Sequence, residues 1–195
     1  MATQPHLDFR TGVYRPARFT LRDASRGEHD RVDAVFSAFD LQTLTGYGDF
    51  LSAHYAAHRE AESWLAMADI PAGFRLADRT GLIAADLGEL GRAVPAQVLP
   101  QPVPAQHSFA AAAGILYCLS GSSFGARVLI QRLWPDAPRR FLAEPLPAGY
   151  WQRLVGALDR IEQAGQLPAT LAAARRTFAL FAASAKRSAV SPGPL

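Results

Sequence analysis

The chain has 195 residues, of which 49% are hydrophobic and 19% charged, and a formal net charge of +3. That is about one domain of chain, too apolar for general disorder and too weakly basic to point to nucleic acid. The lone Cys118 excludes an internal disulfide and a cysteine-based zinc site.

Alanine and leucine outweigh β-branched residues, which favours helices over strands. The first 18 residues, with Pro5, Gly12 and Pro16, read as a loose arm. A helix is expected over 20–39, where Leu21, Val32, Val35, Phe36 and Phe39 recur at helical spacing. A second is expected over 47–68, ended by Pro71 and Gly73, and a third over 76–91. A proline-rich connection follows at 94–104. Residues 108–134 look strongly helical at both flanks, with Gly121 and Gly125 interrupting the middle. Two further helices are expected over 149–165 and 168–186, then a frayed tail from residue 188. The division is therefore a 1–18 arm, one all-α domain over 19–187 and a 188–195 tail. No hydrophobic leader precedes residue 19, and the longest apolar run, 109–119, is shorter than the ~20 residues a bilayer span needs. The expectation is a cytoplasmic protein with no membrane partner.

Arg22, Arg26 and His29 stand at i, i+4 and i+7, on nearly one face of a helix that turns about 100° per residue. An imidazole is a good axial ligand for haem iron, and guanidinium groups suit carboxylates such as propionates. The same spacing also suits a solvated charged face, since Asp23, Glu28, Asp30 and Arg31 lie close by.

The Gly121–Gly125 pair leaves one helix face without side chains, at a cost of about 1 kcal/mol per glycine. Such a face permits close approach of backbone to a flat ligand, or of one helix to another. A haem between a histidine helix and a bare helix would use both features.

These residues also resemble a known family. Residues 21–33, centred on His29, resemble the first helix of haem oxygenases. Tyr-Gly-Asp-Phe-Leu at 47–51, followed by His54, resembles the opening of their second helix. Residues 114–126, Gly-Ile-Leu-Tyr-Cys-Leu-Ser-Gly-Ser-Ser-Phe-Gly-Ala, resemble their glycine-rich distal helix, in the bacterial form often encoded beside phytochromes. Residues 174–181 are similar to the last helix.

The resemblance spans about residues 20–185 and implies an all-α, single-domain haem oxygenase-like bundle. Haem b would lie between a proximal helix and a kinked distal helix. His29 would be the metal ligand. Arg22, Arg26, Tyr117 and Arg153 would complete the haem site, with Arg175 and Arg176 as further basic residues. Gly121, Ser122 and Gly125 would form the catalytic distal wall. The implied reaction cleaves haem, at once substrate and cofactor, to biliverdin, iron and carbon monoxide, using O2 and electrons from a ferredoxin or flavin reductase. A bacterial phytochrome is the implied acceptor of biliverdin.

Two departures bear on turnover more than on haem binding. Ser122 stands where animal-type members carry an aspartate that organises pocket water, and Ser120 where bacterial members commonly carry a glutamate. Three other readings stay open: a haem carrier or sensor without turnover, a non-haem di-iron oxidase and a helical interaction module. The di-iron reading rests on the i, i+4, i+8 stripe of His54, His58 and Glu62, a pattern that equally suits a partly exposed polar face. His6 and His107 fall in expected loops, without an evident role.

Overall fold

The computed structural model describes residues 15–96 and 107–188, so His6 and most of the proline-rich connection lie outside the described residues. Every regular element among the described residues is helical: α1 (Ala17–Ala24), α2 (Arg26–Phe36), α3 (Leu44–Met67), α4 (Arg79–Glu89), α5 (Phe109–Ile130), α6 (Arg140–Ala143), α7 (Tyr150–Gln163) and α8 (Leu167–Ser188). A single 3-10 turn, Ala72–Phe74, precedes α4.

The expected first helix is two helices, and it begins at Ala17, inside the expected arm. Ser25 leaves the helical region at φ −111°, ψ 7°, and its hydroxyl donates to the Leu21 carbonyl at 2.8 Å. The Ser25 amide donates to the same carbonyl at 3.0 Å, so the ladder continues through the corner while the added side-chain bond bends it.

The glycine pair, by contrast, does not break α5, which is helical without interruption from Phe109 to Ile130. Ser108 caps its start by accepting from the Ala111 amide, and the alanine run that follows is packed along α8. Tertiary burial of that first half offsets the roughly 1 kcal/mol per glycine that propensity alone charges against the second. By length and composition α5 would also suffice to cross a bilayer, although the apolar run within it is shorter, and more than half of that span is buried in the bundle.

α8 is the central element, contacted by α5, α3 and α2. It runs parallel to α5: Thr170 donates to the Ala110 carbonyl at 2.8 Å, and Cys118 to the Ala174 carbonyl at 3.5 Å. Between these points a Cβ on Gly114 would collide with the Thr170 carbonyl. Glycine there sets the closest approach of the two helices. α3 crosses the other end of α8, where Ser184 donates to the Ala53 carbonyl. One apolar cluster, around Leu116, Leu119, Leu154 and Leu158, joins α5, α7 and α8; a second, around Phe50, Leu51, Ile83 and Phe141, joins α3, α4 and α6. The short α6 is nucleated by fully buried Asp86, which accepts from the Arg140 and Phe141 amides at 3.1 and 3.0 Å.

Candidate functional site

The break at Ser25 puts Arg22 on α1 and leaves Arg26 and His29 on α2, so the expected stripe is bent and not straight. The corner is held from α8 by Arg175, whose guanidinium donates to the Ala24 carbonyl and lies 3.5 Å from Glu28. Arg22 is exposed, pairs with Asp23 at 3.0 Å and lies over the Phe19 ring. Arg26 is exposed on α2, and Arg176 is exposed on α8.

The His29 side chain is 55% exposed, with its Nδ1 3.1 Å from Asp33 Oδ2 one turn along. A carboxylate beside Nδ1 favours the tautomer protonated there and leaves the Nε2 lone pair available to a metal. The ring packs edge-on against Phe178 of α8 at 5.5 Å.

α2 and α5 each pack on α8 but hardly on one another. The α8 residues turned to α5 (Thr170, Ala174) and those turned to α2 (Arg175, Phe178) occupy adjoining faces. Phe178 therefore floors the interval between them. On α5 the register one turn beyond Cys118 and Ala174 brings Gly121 and Ser122 to the level of Phe178. A Cβ built on Gly121 or Gly125 meets nothing within 4 Å, so this face of α5 is open. Its borders are aromatic. Tyr117 stands 5.8 Å from Trp151, and Phe124, 59% exposed, meets the same indole edge-on at 5.2 Å. Burial pushes the Tyr117 phenol up.

The remaining expected residues are less convergent. Ser122 is exposed, and its hydroxyl donates to the Leu119 carbonyl at 2.9 Å. Ser120 is fully buried on the inward face. Arg153 donates to the Ala148 and Gly73 carbonyls at 2.8 and 3.4 Å, tying the turn before α7 to the 3-10 turn. His107 is stacked on Trp64 with centroids 5.1 Å apart.

The His54–His58–Glu62 stripe is partly exposed at His54 and Glu62, as its sequence pattern suits, but sealed at His58 between them. Both imidazoles are enclosed by Phe141 and Phe181, and His58 is fully buried. His58 Nδ1 lies 3.6 Å from Glu62 Oε1, and Glu62 accepts from the Arg79 and Thr80 amides at 3.1 and 3.3 Å, so its carboxylate also caps α4. No group of three or more His, Cys, Asp or Glu side chains among the described residues converges as a metal site. Sequence reasoning missed Arg79, which is 3% exposed and donates to Ser123 of α5 at 2.8 Å. Asp78 before it signals a helix start, but nothing local signals that the next side chain turns inward.

These histidines have a consequence for stability. Burial holds His54 well below the ordinary imidazole value, helped by His58 and Arg79. Burial also lowers His58, against the raising effect of Glu62. Between the folded and unfolded values the unfolded chain binds protons that the folded chain does not, so stability rises with pH. Stability carried by the two neutral rings is thus full above about pH 6.5 and is lost as pH falls below it. Urea midpoints should drop between pH 7.5 and 5, and the drop should shrink in His54→Phe; an unchanged midpoint would contradict the buried, neutral assignment.

Comparison with protein-family models, curated proteins and solved structures finds no match.

Proposed function

We propose that this chain is a haem oxygenase that binds haem between α2 and the open face of α5. The observation that carries this reading is the pairing of two complementary surfaces across one interval. His29 offers a free Nε2 with Asp33 behind it, and Gly121 and Gly125 offer backbone with no side chain in the way. A flat porphyrin needs an axial nitrogen on one side, a bare surface on the other and cations for two propionates. The residues present fit those needs, with exposed Arg22 on α1 and exposed Arg26 on α2 as the cations.

Bound haem would supply the redox iron at which O2 is activated, and its macrocycle is the substrate. His29 would hold the iron, with Asp33 fixing the imidazole tautomer that leaves Nε2 free for it. Gly121 and Gly125 would let the α5 backbone lie close against a bound macrocycle. Tyr117, Phe124 and Trp151 border that face with aromatic rings. Electrons come from a ferredoxin or flavin reductase, and a cytoplasmic setting with a bacterial phytochrome as biliverdin acceptor completes the proposal.

One observation favours a carrier or sensor of the same fold as the second reading. Residues 116–126 carry no acidic side chain, and the Ser122 hydroxyl is already bonded to its own helix. The test is to load the purified protein with hemin, add a reductase system in air and follow biliverdin. Haem uptake with biliverdin release supports the oxygenase, uptake without release makes it a carrier, and no uptake ends the haem reading.

A further inference from the structure

The two helices that meet at Ser25 are held in different ways. α1 is firmly seated: Ala17 and Leu21 are fully buried, and Asp159 of α7 accepts from the Ala17 amide at 2.8 Å, which satisfies a donor at the helix start. α2 buries none of its residues. Val32, Val35 and Phe36 are only partly buried against the core, and the His29 ring touches Phe178 by its edge. These contacts lie at the middle and far end of α2, where the Phe36 ring meets Phe50, His54 and Phe181. A helix with so little buried apolar surface opens locally at low cost, so its near end needs a separate anchor.

Arg175 of α8 stands at that near end. Its Nε and Nη2 both donate to the Ala24 carbonyl, at 3.1 and 2.5 Å, and Nε lies 3.5 Å from Glu28 Oε1. Ala24 is the last residue of α1 and Glu28 lies in the first turn of α2, so one guanidinium spans the break. The last carbonyls of a helix lack partners within it, and a rigid fork of N–H donors suits such a carbonyl better than a flexible ammonium. The ion pair with Glu28 adds little by itself, because Arg175 is 49% exposed. The backbone bonds therefore carry most of the effect. Glu28 directly precedes His29, and Phe178, which meets the His29 ring, is one turn beyond Arg175 on α8. One stretch of α8 thus sets both the direction in which α2 leaves the corner and the seat of the imidazole.

We infer that Arg175 is a positioning residue, which clamps the α1–α2 corner and so fixes the angle at which His29 faces α5. This differs from the propionate contact that a basic residue on the last helix suggests, since the donors of Arg175 are already turned to a backbone carbonyl and a carboxylate of the chain itself. The consequence for haem rests on His29 being its ligand; the clamp is a property of the apoprotein.

Hydrogen exchange of the apoprotein reads the clamp without haem. Arg175→Ala should speed exchange of the amides over 26–36 several-fold and leave α7 at the parent rate, with Arg175→Lys between the two. Parent-like exchange over 26–36 in Arg175→Ala would overturn the inference. Titration with hemin and with its dimethyl ester, which has no propionate charge, reads the consequence. A positioning role predicts that Arg175→Ala weakens binding of both by a similar factor, roughly 10-fold as for other groups that orient a metal ligand, and shifts the Soret band of the bound form. Arg175→Lys should recover part of each effect. A loss confined to hemin would make Arg175 a propionate contact, and that result, or an unshifted band, would reject the positioning role. If the parent protein takes up neither compound, the oxygenase reading fails while the exchange result still decides the clamp.

Discussion

His29→Ala should remove the histidine-ligated Soret spectrum on hemin titration and abolish biliverdin formation, while leaving the helical fold intact. The ring is more than half exposed and touches the interior through one edge-on contact with Phe178, so its loss opens no large cavity. Added imidazole should restore ligation by occupying the vacated position. Asp33→Ala should act through the same nitrogen, weakening haem affinity by about 10–100-fold, the usual cost of losing a carboxylate behind a metal-bound histidine. His54→Phe is the control, because His54 lies among aromatic rings of the second core cluster and not among the proposed haem contacts. A His29→Ala protein with the parent spectrum would show that the axial ligand is elsewhere.

Two glycines on α5 should respond to substitution in opposite ways. Gly114→Ala puts a methyl group against the Thr170 carbonyl and within 3.1 Å of Ala173 Cβ, and these are backbone and short side-chain atoms that cannot swing away. α5 and α8 must separate, at a cost of about 3 kcal/mol for overpacking. Gly121→Leu meets open space and removes a poor helix former, which should stabilise the apoprotein by about 0.5–1 kcal/mol. The same leucine would fill the face on which haem is proposed to lie, so hemin uptake should fall sharply. Urea unfolding and Soret titration of the two variants separate these effects. If Gly121→Leu binds hemin like the parent, haem does not lie on this face.

Much of this contrast is invisible in the linear pattern. Gly114, Gly121 and Gly125 look alike there, and the reading by periodicity marked the last two as breaks in the helix. The structure keeps α5 whole, because the alanine-rich first half is held against α8. It gives the tight-packing role to Gly114, since only that glycine faces the partner helix. The reverse held at residues 20–39, where apolar spacing predicted one helix and a single serine divides it. Spacing records which residues share a face, but a local side-chain bond such as that of Ser25 to Leu21 changes the axis without changing the spacing.

The histidine stripe shows the same limit from another side. His54, His58 and Glu62 were legible as a stripe, but the enclosure of the two imidazoles depends on Phe141 and Phe181, which arrive from elements about 80 to 130 residues further along the chain. Arg79 was not legible, because a charged residue in the first turn of a helix ordinarily faces water.

By itself, the sequence determined the all-helical class and the approximate extent of most helices. Those properties follow from propensity and from spacing within one helix, which act over a few residues. Tertiary structure alone decided which glycine is crowded and which is open, that His58 is sealed, and that Phe178 lies between α2 and α5. Each of those depends on how α8 is flanked by α2, α3 and α5, and contacts between segments far apart in the chain leave no period in the sequence to read.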